Sequence, residues 1–155
     1  MIRGVHHTAI STVDLERSLV FYRDLLGFEM IMEAGWPVGT RVADRIAALP
    51  GSSARSAVLR VGSSIVELYQ WTSPEPRPRD PEQRVCDHGI THICLDVTDI
   101  DAEYERLKSA GVEFHCEPQK VAKGVRCTYA RDPDGNVVEL QEVTWTDSPI
   151  ALPFD

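Results

Sequence analysis

The chain has 155 residues, 43% of them hydrophobic, and a formal net charge of −8. This length suits one compact domain, or two closely packed half-modules that share a core. Nucleic acids and anionic membranes attract basic surfaces, so the acidic balance argues against both as partners, and no apolar run approaches the roughly 18 residues of a membrane span. We therefore expect a cytoplasmic protein, and its four irregularly spaced cysteines favour reduced thiols over a disulfide framework.

The first half of the chain, residues 4–71, predicts the order strand, helix and three strands. A strand over residues 4–11 precedes a helix that begins at Asp14 and ends before Gly27, with apolar residues at helical spacing (Leu15, Leu19, Tyr22 and Leu26). The further strands are expected over residues 28–33, 56–61 and 64–71. Residues 35–50 are an insertion without a counterpart later in the chain, in which Thr40 is expected to cap a short helix.

The second half, residues 89–143, predicts the same order after a proline-rich linker over residues 72–88 that includes Pro81. Strands are expected over residues 90–97, 112–116, 125–131 and 136–143, and a helix over residues 100–110. The sequence Asp-Pro-Asp-Gly at 132–135 predicts a hairpin turn. In the tail, residues 144–155, three apolar residues either dock on a neighbour or fray: Ile150, Leu152 and Phe154.

The two halves repeat one pattern of histidine and glutamate. His7 stands seven residues before Asp14, as His92 stands seven before Asp99, and each half ends on an apolar strand with one glutamate, Glu67 or Glu139. Each aspartate is expected to cap the helix that follows it.

Alternation along a strand predicts which side chains share a face. His92 is expected to point with Cys94 and Asp96 away from the helix, whereas His6 points to the opposite side from His7 and is not expected to be a ligand. A glutamate inside an apolar strand is costly to bury unless it is paired or binds a cation. The repeated set therefore predicts one shared pocket.

At these residues the chain resembles the vicinal oxygen chelate superfamily, which includes glyoxalase I, methylmalonyl-CoA epimerase, extradiol dioxygenases and bleomycin-resistance proteins. The resemblance covers residues 5–143 and rests on the stretches 7–28, 90–101 and 132–140. It implies an α+β fold in which two tandem βαβββ modules form curled mixed sheets around a metal-binding cleft.

The resemblance also implies a site and an activity. His7, Glu67, His92 and Glu139 match the ligands of a divalent ion (Zn, Ni, Co, Mn or Fe), closest to the set of glyoxalase I. The implied function is an isomerase or lyase that transfers a proton next to a carbonyl through a metal-stabilised enolate, with Glu139 or Glu67 as the base. Alternatives are an Fe(II) extradiol-type dioxygenase and a non-catalytic resistance-type binding protein. A small-molecule substrate and a homodimer are expected, with the site built within one chain or from two.

Several further residues are candidates for substrate contact. In bacterial glyoxalase I an arginine and an asparagine help to hold glutathione, and this chain has Ser11 and Trp71 at those places, which argues against glutathione. Trp71 and Tyr69 are candidates for a substrate wall or for the core, and Trp36 is expected to be a mobile residue in a loop. Finally, Arg126 and Arg60 are possible anion contacts or plain surface charges.

Overall fold

The computed structural model describes residues 1–80 and 83–152, so Pro81 and Phe154 lie outside the described residues. The chain divides into two compact units, residues 1–79 and 80–155, and this division falls within the segment whose prolines predict a linker. Among the described residues, no helix is long and apolar enough to cross a membrane.

The first unit contains a four-stranded mixed sheet and three helical segments. Its elements are β1 (His7–Ser11), α1 (Leu15–Leu19), a π-helical segment (Val20–Leu25), β2 (Glu29–Trp36), α2 (Arg41–Ala47), β3 (Ser53–Val61) and β4 (Ser64–Ser73). The strand order is β1-β4-β3-β2, with β1 parallel to β4 and the other neighbours antiparallel.

The second unit repeats this topology with one helix. Its elements are β5 (Ile93–Asp96), α3 (Ile100–Ser109), β6 (Gln119–Ala122), β7 (Val125–Arg131) and β8 (Val137–Val143). The strand order is β5-β8-β7-β6, again with a parallel first pair. The predicted fold class, α+β with two tandem modules built on curled mixed sheets, is confirmed.

One helical stretch in each unit, the α1 and π-helical stretch in the first and α3 in the second, buries an apolar stripe against its own sheet, whereas α2 buries no side chain. In the first unit Leu15, Leu19 and Tyr22 are at most 2% exposed, as are Leu59 and Leu68 of the sheet. Each such side chain contributes about 1.5–3 kcal/mol when fully buried. In the second unit, Ile100 and Leu107 of α3 are similarly buried. Because one face of each sheet is covered by a helix, the opposite face carries the predicted site residues.

Both predicted helix caps are present. The side chain of Asp14 accepts a hydrogen bond from the amide of Arg17, and that of Asp99 accepts one from the amide of Ala102, both at 3.2 Å. Asp99 does so in a left-handed conformation, with φ at 53°. In contrast, Thr40 does not cap α2, because its hydroxyl donates to the carbonyl of Pro37 instead.

Several predicted elements differ from the structure. The strand expected over residues 90–97 is shorter, since β5 spans Ile93–Asp96 and begins after His92. The helix expected over residues 14–26 changes to a π-helix after Leu19, with the amide of Phe28 bonded to the carbonyl of Tyr22. Residues 112–116 contribute only one bridge, Phe114 to Ala130, and the edge strand β6 lies further along the chain. Trp36 ends β2 rather than lying in a loop, because β2 continues three residues beyond its predicted end.

Candidate metal and substrate site

The second unit brings His92 and Glu139 into contact. Nε2 of His92 lies 2.9 Å from Oε2 of Glu139, and their side chains are 28% and 11% exposed. His92 directly precedes β5, and Glu139 lies in β8 opposite Cys94. The two side chains therefore meet on the sheet face that α3 leaves uncovered.

The first unit forms the equivalent pair with a wider separation. Nε2 of His7 lies 3.9 Å from Oε2 of Glu67, and their side chains are 41% and 19% exposed. The same Oε2 accepts a hydrogen bond from the hydroxyl of Tyr69 at 2.6 Å. Burial, followed by the bond to Glu67 and its charge, raises the pKa of Tyr69 to about 12.

The two pairs occupy the same register. In each unit the histidine stands two residues before the residue paired with the glutamate, which is Ala9 in β1 and Cys94 in β5. The residue before each histidine contacts its Nδ1: Nδ1 of His6 at 3.0 Å from His7, and Oγ1 of Thr91 at 2.8 Å from His92. These contacts leave each Nε2 facing its glutamate, which is the orientation that second-shell partners give to metal-binding histidines.

The donor set fits a divalent cation. Neutral imidazole and carboxylate suit Zn²⁺, Ni²⁺, Co²⁺, Mn²⁺ and Fe²⁺. Two ligands at about 2.1 Å from one ion and at right angles are about 3 Å apart, close to the 2.9 Å between His92 and Glu139. Among the described residues, no three histidine, cysteine or acidic side chains cluster tightly enough to hold an ion. Each unit by itself thus supplies two candidate ligands.

An aromatic cluster covers the same sheet face beside Glu67. The rings of Trp36, Tyr69 and Trp71 lie 5.4–6.0 Å apart, and each is half-buried. The structure therefore brings the three predicted substrate-wall residues together, with Tyr69 joining the cluster to Glu67. At the places where bacterial glyoxalase I binds glutathione, Ser11 pairs with Tyr69 across the sheet, and Trp71 belongs to the cluster.

The side chain of Trp36 is linked by hydrogen bonds to the insertion. The indole Nε1 donates to the hydroxyl of Ser52 at 3.0 Å, and Ser52 in turn donates from its amide and hydroxyl to Oδ1 of Asp44 in α2. These bonds, with one from the amide of Gly51, lower the pKa of Asp44. An open cavity of about 600 Å³ lies beside Trp36, but neither Glu67 nor Tyr69 lines it.

Two thiols flank Glu139. Cys94 pairs with Glu139 across β5 and β8, and Cys127 lies in β7 opposite Gln141. Partial burial, followed by the Glu139 charge, raises the pKa of Cys94 to about 12, and burial with the bond to Glu139 raises that of Cys127 to about 11. These raised pKa values keep both thiols protonated at neutral pH beside Glu139.

The structure does not bring Arg126 to this face. Its guanidinium forms two hydrogen bonds with Asp101 of α3, at 2.6 and 2.8 Å, and alternation along β7 directs it away from Tyr129 and Glu139. Arg60 lies in register with Ile65 and His7, and it pairs with Glu29 at 3.4 Å.

The sequence reasoning missed Arg131, His115 and Tyr129, which do lie with His92 and Glu139. The signal was the repeat itself, since Arg60 and Arg131 lie at equivalent places near the end of the strand that precedes each glutamate strand.

Comparison with known proteins gives a consistent picture. Residues 4–140 match the family model of the Glyoxalase/Bleomycin resistance protein/Dioxygenase superfamily. A 2-epi-5-epi-valiolone epimerase from Actinomyces sp is 30% identical over 98% of this chain and 83% of its own. The lactoylglutathione lyase of Pseudomonas aeruginosa is 28% identical over 90% of this chain and 82% of its own.

Two solved structures have a similar fold. A glyoxalase family protein from Bacillus cereus superimposes with a TM-score of 0.82 at 22% identity, covering 92% of this chain and 95% of that one. The fosfomycin resistance protein of Listeria monocytogenes, crystallised with Mn(II) and sulfate, has a TM-score of 0.60 at 20% identity, covering 94% and 96% of the two chains.

Proposed function

Because the chain belongs to the glyoxalase/bleomycin resistance/dioxygenase superfamily, we propose that it is a divalent-metal-dependent isomerase or lyase that moves a proton on the carbon next to a carbonyl. The observation that carries the proposal is the repeated pair: His7 with Glu67 and His92 with Glu139, in the same register and on the uncovered sheet faces. Relatives that are lyases and epimerases support an enzymatic role.

We assign the four residues of the two pairs to one ion, which is Zn, Ni, Co, Mn or Fe. The two pairs come from one chain or from the two chains of a dimer. A divalent ion would stabilise the negative charge that develops on the substrate oxygen when a proton leaves the neighbouring carbon. The Mn(II) in the related fosfomycin resistance protein supports a metal in this fold.

The glutamates are the candidate bases in this proposal. Oε2 of Glu67 accepts the Tyr69 hydroxyl, and no hydrogen bond to its Oε1 is formed within the described residues, so Oε1 is available to accept a proton. Glu139 is the alternative base, and its neighbouring thiols can hydrogen-bond to it in its ionised form. A general base must lie within hydrogen-bond reach of the proton that it takes, so the proposal requires the reacting carbon to bind beside one of these carboxylates.

The aromatic cluster would form one wall for a small-molecule substrate and exclude water from Glu67. Because Ser11 and Trp71 replace polar contacts to glutathione, we propose a substrate other than a glutathione adduct. The epimerase among the relatives favours inversion next to a carbonyl over the glutathione lyase reaction.

Elemental analysis of the purified protein, without added metal, tests the metal set. We expect close to one Zn, Ni, Co or Mn per site, and its loss in a His7→Ala/His92→Ala double variant. A His88→Ala variant is the control, because His88 is exposed and stands outside both pairs. Glu67→Gln should keep the fold and weaken metal retention; unchanged stoichiometry and turnover would remove Glu67 from the site.

The other metal outcomes separate the alternatives. Iron, with an O₂ requirement, would favour a dioxygenase, and absence of metal after reconstitution would indicate a binding protein. A protein that holds Zn, Ni, Co or Mn should exchange a carbon-bound proton of its substrate with solvent deuterium, which NMR detects directly. No exchange across a panel of oxo and hydroxy acids and their esters would contradict the proposed proton transfer.

A further inference from the structure

Four side chains form a row on the uncovered face of the second sheet. The ring of Tyr129 lies 5.1 Å from that of His92 and 5.9 Å from that of His115, and Nε of Arg131 donates to Nε2 of His115 at 2.9 Å. Tyr129 pairs with Glu139 and Arg131 with Val137 across β7 and β8. Because alternate residues share a face, Arg131 points to the same side as Tyr129 and Glu139.

Neutral acceptors hold the guanidinium of Arg131. Besides His115, its Nη1 donates to the carbonyl of Gly135 at 2.7 Å, and no carboxylate among the described residues forms an ion pair with it. The adjacent Asp132 carboxylate is turned into the hairpin, where it accepts bonds from the amides of Asp134 and Asn136 and from the side chain of Asn136. Within the part of the chain that the structure describes, the positive charge of Arg131 is therefore held in place without an ion-paired carboxylate.

The first unit offers a natural comparison. Arg60 occupies the position equivalent to Arg131, since it pairs with Ile65 just as Arg131 pairs with Val137. There the charge is compensated, because Nη1 of Arg60 lies 3.4 Å from Oε2 of Glu29. The same place in the repeat is thus neutralised in one unit and cationic in the other.

We propose that Arg131, held by His115 and by the carbonyl of Gly135, is a subsite that binds a carboxylate group of the substrate. A guanidinium binds a carboxylate through parallel hydrogen bonds, and such charge-assisted bonds are strong and directional. Positions one strand over and two residues along a sheet are about 7–8 Å apart. A small oxo or hydroxy acid therefore spans from Arg131 to a reacting carbon beside Glu139.

This inference rests on the proposed function in one respect, namely that the carboxylate bound by Arg131 belongs to the substrate. The subsite itself is made by residues of the second unit, and it does not require a metal to be present.

The test measures binding of pyruvate to chelator-treated, metal-free protein by calorimetry. Arg131→Gln should weaken pyruvate binding about tenfold or more, as expected for loss of a hydrogen-bonded ion pair. The matched control, Arg60→Gln, should leave the affinity within about twofold, because that arginine is already paired. Methyl pyruvate, which has no carboxylate, should bind equally to the unsubstituted protein and to Arg131→Gln.

A second measurement does not depend on the variant folding. In the unsubstituted protein, pyruvate should shift the NMR signal of the Arg131 Nε–H group and leave that of Arg60 unchanged.

Arg131→Lys keeps the positive charge but lacks the planar guanidinium group. It should bind pyruvate more weakly than the unsubstituted protein and more tightly than Arg131→Gln.

The proposal is overturned by no pyruvate binding to the unsubstituted protein, by equal losses in Arg131→Gln and Arg60→Gln, or by tighter binding of inorganic phosphate than of pyruvate. Metal content measured on the same variants separates the two proposals. Loss of pyruvate binding with full metal retention supports the subsite, whereas a protein that binds pyruvate through Arg131 but never holds metal refutes only the proposed function.

Discussion

The hydrogen bond between Tyr69 and Glu67 predicts an alkaline titration that Tyr69→Phe would remove. The substitution deletes the hydroxyl and keeps the ring, so the contacts with Trp36 and Trp71 persist. The hydroxyl lies 2.6 Å from Oε2 of Glu67, and burial together with this carboxylate raises the pKa of Tyr69 from 10.0 to about 12. Ionising the phenol would place a second negative charge against the glutamate.

The magnitude follows from the displaced pKa. One pKa unit is about 1.4 kcal/mol, so a pKa near 12 instead of 10.0 favours the neutral phenol in the folded state by at most about 3 kcal/mol. Because the folded pKa lies above the unfolded one, this contribution is complete below pH 10 and is lost as the pH rises towards 12. The unsubstituted protein should therefore lose more stability over this range than Tyr69→Phe.

Near-ultraviolet absorbance of tyrosinate measures the titration, and the difference between the unsubstituted protein and Tyr69→Phe isolates one phenol. We expect a midpoint near 12, and a midpoint between 10 and 12 in Glu67→Gln, where burial remains and the negative charge is gone. Tyr104→Phe, in the other unit, should leave the Tyr69 midpoint unchanged. A midpoint near 10 that does not respond to Glu67→Gln would refute the contact, and with it the position of the aromatic cluster beside the first His–Glu pair.

Three further predictions concern stability. Asp14→Ala should lower the free energy of unfolding by about 1 kcal/mol through loss of a helix cap. Asp99→Ala should lower it by about 2 kcal/mol, because alanine also disfavours the left-handed backbone, whereas Asp99→Asn should be nearly neutral. Urea denaturation measures these values, and equal losses for Asp14→Ala and Asp99→Ala would contradict the prediction. Since hydrogen bonds lower the pKa of Asp44, its contribution is present above the ordinary 3.8 and is lost as the pH falls through the lower folded value. Asp44→Asn should therefore flatten the acid limb of a melting-temperature profile, and an unchanged limb would show that these bonds are weak in solution. Gly124→Ala would put a Cβ atom 2.7 Å from that of Trp145 at a φ of +64°, so it should destabilise the protein by about 1–3 kcal/mol in thermal melts, and no loss would mean that this turn can shift.

The repeat explains why much of the fold could be predicted. A histidine at or directly before the first strand, a capped helix and a closing strand with a glutamate occur in both halves, and the two sheets have the same strand order. Alternation along the strands then fixes which residues share the uncovered face. The contacts of His7 with Glu67 and of His92 with Glu139 follow from these two regularities, because a parallel first pair of strands sets the histidine diagonal to the glutamate.

The remaining differences between the predicted and the observed elements have local causes that the periodicity of the sequence does not reveal. The π-helical turn after Leu19 depends on how the chain enters β2. The edge strand β6 is exposed along its length, so it has no apolar alternation to reveal it. Likewise, α2 leaves Val42 and Ile46 exposed, so burial of its apolar residues does not explain why this helix forms. The sequence could not show which arginine lies on the face of the candidate site. Arg126 binds Asp101 and Arg131 binds His115, and both of these partners are distant in the sequence.

The two halves share a register and differ in the side chains around each glutamate. Across from Glu67 stands Val58, and two residues further along its own strand stands Tyr69, whereas Glu139 has Tyr129 across from it and Gln141 two residues further on. The arginines at equivalent places also differ. Arg60 is paired with Glu29 in the first half, whereas Arg131 in the second half is hydrogen-bonded, among the described residues, to the neutral groups of His115 and Gly135. The aromatic cluster gives the first half a largely apolar surface, whereas Arg131 gives the second half a cationic one. The two copies of the repeat are therefore expected to differ in the chemical groups that they bind, and a carboxylate is expected at the second copy.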